Sequence, residues 1–93
     1  MSIRETIENR LAAAFSPQHL EVINESHLHA GHQEHFDGLG ETHLRVRIVA
    51  DAFAGMSRVE RHRAINALVA DALAGGVHAF AVEAAAPGEP RRW

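Results

Sequence analysis

At 93 residues the chain has material for one small hydrophobic core, so a single folded unit is expected. A net charge of −3 excludes a protein that grips nucleic acid by bulk positive charge, although eight histidines move the balance toward zero as they protonate. The lack of cysteine excludes disulfides and thiolate nucleophiles and leaves any metal binding to imidazole and carboxylate, while no stretch approaches the roughly 20 apolar residues of a membrane span.

Ser2-Ile3-Arg4-Glu5 has the S-x-x-E form of a capping box, and Ile3, Ile7, Leu11, Ala14 and Phe15 recur at helical spacing until Ser16-Pro17. The charged start lacks an apolar leader segment, so the expected location is the cytoplasm. Leu20 to Asn24 reads as a short strand. It runs into a stretch from about His27 to Glu41 that is rich in His, Gly and acidic residues and has no periodicity, which is the signature of a long loop. Leu44, Val46 and Ile48 then alternate with Arg45 and Arg47 in a period-two strand with one apolar and one polar face.

Phe53 to Met56 makes a turn, and Ser57-Arg58-Val59-Glu60 repeats the capping-box form. The spacing predicts a helix of about 17 residues, with Val59, His62, Ile65, Leu68, Val69, Ala72 and Leu73 on one face and Gly75-Gly76 as its stop. Val77 to Ala86 is an apolar run that fits a strand. Residues 87–93 are expected to form a disordered C-terminal tail, leaving 1–86 as the domain. The order α-β-β-α-β, with two amphipathic helices that need a sheet to cover them, predicts a two-layer α+β sandwich.

The chemistry-bearing residues are the histidines. A chain without thiols cannot hold a metal cluster by itself in the usual way, but it can lend imidazole to a cluster whose cysteines come from a partner. On spacing alone, His78 reads as a partly buried histidine bonded to a backbone carbonyl, and His27, His29, His32 and His35 read equally well as part of a solvated loop. His62 reads as a core histidine. Arg58, Arg61 and Arg63 read as a solvated helix face able to contact phosphate or an acidic partner.

Glu25-Ser26 followed by a loop histidine, Gly40-Glu41-Thr42-His43, Phe53-x-Gly55, Arg61-His62-Arg63 and Val77-His78-Ala79 occur in an order that resembles the BolA family, from about Ile3 to Ala86. The resemblance implies a fold related to the type II KH domain. It also implies a heterodimer with a monothiol glutaredoxin in which a [2Fe-2S] cluster, with glutathione, bridges the two proteins, and for some members a role in transcription control or morphology under stress. By position, His78 and His29 match the family's ligand histidines. His27, His32 and His35 remain open as substitutes, because this loop carries more imidazoles than the family pattern. Two imidazoles in place of thiolates on one iron would raise the reduction potential, as in Rieske centres. The chain departs from the family again at Leu44, where an aromatic is usual, and at Ala50-Asp51-Ala52, where a serine is often found.

These readings give a non-enzymatic adaptor with His29 and His78 as cluster ligands, docking through the second helix and last strand with Arg61 and Arg63. The alternative is a DNA-binding regulator that uses Arg58, Arg61 and Arg63. KH-type RNA binding is disfavoured because no GXXG loop is present. Catalysis is disfavoured because so small a sandwich is expected to have little room for a pocket of roughly 300 Å³.

Overall fold

The computed structural model describes residues 2–26, 43–91 and 93. In chain order it contains α1 (Ile3–Phe15), β1 (His19–Asn24), β2 (His43–Val49), a 3-10 turn (Asp51–Phe53), α2 (Arg58–Leu73) and β3 (Ala79–Ala85). The expected α-β-β-α-β order and two-layer α+β architecture are observed. Among the described residues no helix is long and apolar enough to cross a membrane.

Both helices start where the S-x-x-E pattern placed them. The Ser2 hydroxyl accepts from the Glu5 N–H, and Ser57 and Glu60 form a complete reciprocal capping box. At the end of α1, Ser16 takes a left-handed conformation (φ 44°) and donates its N–H to Ala12, so the chain turns before Pro17. α2 gives way to Gly76 at φ 134°, a backbone region that only glycine enters without strain.

The sheet order is β1-β2-β3. β1 pairs antiparallel with β2 and β3 pairs parallel with it, in the register His19↔Val49 to Asn24↔Leu44 and His43↔Ala79 to Val49↔Ala85. The alternation read in β2 therefore sorts the whole sheet. Leu20 and Val22, Leu44, Val46 and Ile48, and Phe80, Val82 and Ala84 share the helix-covered face, while Arg45 and Arg47 line up with Glu21 and Glu83 on the outer face. The core joins the inner face to Ile7 and Leu11 of α1, Ile65 and Val69 of α2, and Phe53, whose ring centroid lies 4.9 Å from that of Phe15.

The expected helix stripes are wider than the buried ones. Ala14 is exposed in α1; in α2, Val59 is 55% and Leu68 36% exposed, and His62 faces solvent instead of the core. The reason is geometric: two helices share a three-stranded sheet and pack on each other, so each can bury only a narrow strip. Arg10 of α1 grips Asp71 of α2 through both guanidinium ends and also bonds the Leu68 carbonyl, which pins the helices together at that edge.

Two apolar residues, Val49 and Ala85, are buried outside the core cluster, and they share the outer face of the sheet. The segment after β3 folds back toward this face. It turns at Gly88 (φ 84°), ties Glu89 to α2, and brings the Trp93 ring to 5.4 Å from His19 on β1, whose register partner is Val49. The tail expected from Pro87 onward thus begins with residues that belong to the domain's bonding network.

Candidate functional site

The sheet end that carries the His-rich segment is built by Ser26. Its side chain is fully buried; its oxygen accepts from the His43 N–H at 3.0 Å, and its own N–H donates to Asn24 Oδ1. Together with the Glu25 N–H to His43 carbonyl bond, this closes the two strands at the root of the connection. His29 and the alternatives His27, His32 and His35 lie outside the described residues.

His78 stands at the same end. It precedes Ala79, the register partner of His43, and is exposed. That corrects the spacing-based reading of a partly buried histidine. The run Val77-His78 is a connector between Gly76 and β3, not strand interior, so the imidazole is not drawn into a packed face. Among the described residues no three His, Asp or Glu side chains converge to hold a metal ion.

Beside the Ser26–His43 closure, Glu25 is fastened to the sheet by an ion ladder; the long loop expected from about His27 to Glu41 lies outside the described residues. Arg45 Nε donates to Glu25 at 3.0 Å, Arg45 Nη1 to Glu83 at 2.6 Å, and Arg47 Nε to the other Glu83 oxygen at 2.9 Å. The hydrogen bond it donates to Glu25, followed by the Coulomb attraction of Glu25 and Glu83, holds the Arg45 guanidinium above its ordinary range. Sequence reading missed this ladder, because Glu83 is 36 to 38 positions from its arginines and faces them only once the register is known.

The arginines of α2 part company. Arg58 and Arg63 are exposed, as the solvated-face reading expected. Arg61 is not: its side chain is only 12% exposed, and it donates to the Met56 and Ala84 carbonyls and to both Glu89 oxygens, at 2.6 and 2.7 Å. It is therefore corrected from a partner- or DNA-contacting residue to a structural clamp. A helix position three residues after Arg58 and four before the buried Ile65 turns toward β3, and the fork finds its carboxylate there. The Arg61 hydrogen bonds, helped by the Ala86 N–H, pull the Glu89 carboxyl from an ordinary value of 4.5 down to about 2.

Between α2, the C-terminal half of β3 and the closing segment lies an open cleft of about 760 Å³. The expectation that so small a domain lacks room for a pocket is corrected by it; the closing segment supplies the missing wall. Among the described residues its ionisable lining is Arg58, Arg61, His62, Glu83, Glu89 and Arg91.

Comparisons with known proteins agree with this architecture. A family profile described as BolA-like protein matches residues 11–89. The chain is 68% identical over 93 residues, covering 100% of both chains, to a protein of Sinorhizobium sp. named "Uncharacterized protein in cobS 5'region". It is 40% identical over 80 residues, covering 86% of this chain and 71% of the relative, to the DNA-binding transcriptional regulator BolA of Vibrio cholerae. Among solved structures, the BolA domain of SufE1 from Arabidopsis thaliana superposes with a TM-score of 0.82 at 42% identity over 97% of this chain and 98% of that one. Of the plant's whole SufE-like protein 1, the chain spans 24%.

Proposed function

This chain belongs to the BolA-like family, and on that premise we propose that it is a non-enzymatic adaptor that docks a monothiol glutaredoxin and co-ligates a bridging [2Fe-2S] cluster. The observation that carries the reading is the exposed His78 at the sheet end where Ser26 and His43 close the root of the His-rich segment. Three residues separate Ser26 from His29, a reach of up to about 10 Å. β1 and β3 stand two strand spacings apart, roughly 9.6 Å, so chain length allows His29 and His78 to serve one iron.

In this reading the cluster, when bound, supplies the redox and transfer chemistry, with thiolates from glutaredoxin and glutathione. The chain's own residues orient it. His78 donates nitrogen, the Ser26–His43 bonds and the Glu25–Arg45–Glu83 ladder hold the loop root to the sheet, and Arg63 on α2 offers charge to the partner. His27, His32 and His35 are the substitutes for His29 in the loop.

The test is an anaerobic titration of the chain into cluster-loaded glutaredoxin, followed by visible absorption and circular dichroism. A changed cluster spectrum that saturates at one-to-one and is lost in His78→Ala supports the reading. An unchanged spectrum with no complex on gel filtration rejects it.

A second reading, a DNA-binding regulator, draws on the exposed Arg58 and Arg63 of α2 and on the name of the Vibrio cholerae relative. Its signature is the converse: Arg58→Ala with Arg63→Ala abolishes DNA binding and leaves the cluster spectrum intact, while His78→Ala does the opposite.

A further inference from the structure

Among the described residues, the cleft beside α2 carries cations that no aspartate or glutamate pairs with. Six ionisable side chains line it, and two are carboxylates already spent elsewhere. Glu89 is held by Arg61 through both oxygens, and Glu83 is held from the outer face by Arg45 and Arg47. Arg58 and Arg91 remain, and among the described residues neither has an aspartate or glutamate within ion-pair distance; Arg91 Nε donates to the Trp93 main-chain oxygen at 3.0 Å. His62, four residues after Arg58 on α2, adds a third donor to the lining. In a chain of net charge −3, this is a local concentration of positive charge inside a concave surface.

We propose that this cleft binds a small phosphorylated metabolite, with Arg58 and Arg91 on its phosphate oxygens, His62 as a further donor, and Val82, Ala84 and Trp93 against its organic part. Three features favour a small molecule over a macromolecule. The cleft's volume lies in the range of small-molecule sites. One wall is the closing segment itself, folded back onto the domain by the Arg61–Glu89 fork, so the space is a pocket and not an open helix face. Arg63, the cation best placed for an extended polyanion, is not part of it. Guanidinium is the preferred side chain for phosphate because its planar fork donates two parallel charge-assisted hydrogen bonds.

The geometry also supplies a reporter. Trp93 is the sole tryptophan of a chain that has no tyrosine; Arg91 lies 4.8 Å over its ring and donates from Nε to its backbone carbonyl. An anion that recruits Arg91 changes the surroundings of that ring.

The experiment is a fluorescence titration of the full chain with inorganic pyrophosphate and with ribose 5-phosphate, at ionic strength held constant with chloride, alongside amide chemical shifts by NMR. The expected result is a saturable one-to-one response that Arg58→Ala weakens about tenfold or more and Arg63→Ala leaves within about twofold. Arg58 is exposed in the first turn of α2, and alanine is a good helix former, so its variant is expected to stay folded; an unchanged melting temperature checks this. Arg91→Ala is followed by the shifts of Arg58 and His62, since it alters the fluorophore directly, and it should weaken binding comparably. A non-saturating response, an equal loss in Arg63→Ala, or silence in both fluorescence and the Arg58 and His62 shifts overturns the proposal. An equal loss in Arg63→Ala would mean a diffuse surface field of the kind that serves a nucleic acid.

Discussion

Arg61 holds both carboxylate oxygens of Glu89 across the end of β3, and through that one pair the C-terminal segment becomes part of the domain. Arg61 also caps the outward carbonyl of Ala84, and Glu89 accepts from the Ala86 N–H, so the pair satisfies backbone groups at the β3 edge that no further strand covers among the described residues.

Replacing Arg61 should therefore cost far more than replacing its neighbour. Arg61→Ala leaves the Met56 and Ala84 carbonyls and Glu89 without their partner, and a loss of about 2 kcal/mol in urea unfolding is expected. Arg63→Ala, on the exposed side of the same helix, should stay within about 0.5 kcal/mol. Equal effects would mean that the clamp does not form in solution.

The same pair sets an acid response. A carboxyl held at about 2 against an ordinary 4.5 adds stability that is fully present above the higher value and is lost as pH falls through the lower one. Trp93 fluorescence should report release of the closing segment between about pH 4.5 and 2. Glu89→Gln should remove that transition and show the released signal already at pH 6.

Within α2, apolar residues should divide by burial and not by helical spacing. Ile65→Ala is expected to cost roughly 2 to 4 kcal/mol, because Ile65 is fully enclosed between sheet and helix. Val59→Ala should be close to neutral, since more than half of Val59 is in solvent. Thermal melts of the two variants distinguish these outcomes.

At the loop root, Ser26→Ala leaves the His43 N–H facing a buried methyl group. A loss of about 1 to 3 kcal/mol is expected, with faster hydrogen exchange at the His43 amide. Ser26→Thr keeps the oxygen and should retain exchange protection at that amide; loss of protection in Thr and Ala alike would show that the hydroxyl is not what holds the root closed.

Local pattern was enough for element order, the Ser2 and Ser57 N-caps and the full capping box of α2, the burial of Leu44, Val46 and Ile48, and the α+β class. Each of these depends on residues within a few positions of one another, whose spacing matches a helix or strand period. The exposed Arg58 and Arg63 were legible for the same reason. Arg61 was not, because nothing in Arg58-Val59-Glu60-Arg61 distinguishes it until Glu89, 28 residues later, is folded alongside it.

Sequence by itself determined the periods, the caps, the absence of thiols and the segments that match the family. Tertiary structure decided which of two like-charged neighbours is buried, that His62 lies in a cleft and not a core, that Glu83 bridges Arg45 and Arg47, and that Glu89 and Trp93 fold back to α2 and His19. The physical reason is that helix and strand signals are set by near neighbours, whereas burial, ion pairing and concavity depend on strand register and on how much sheet two helices must share.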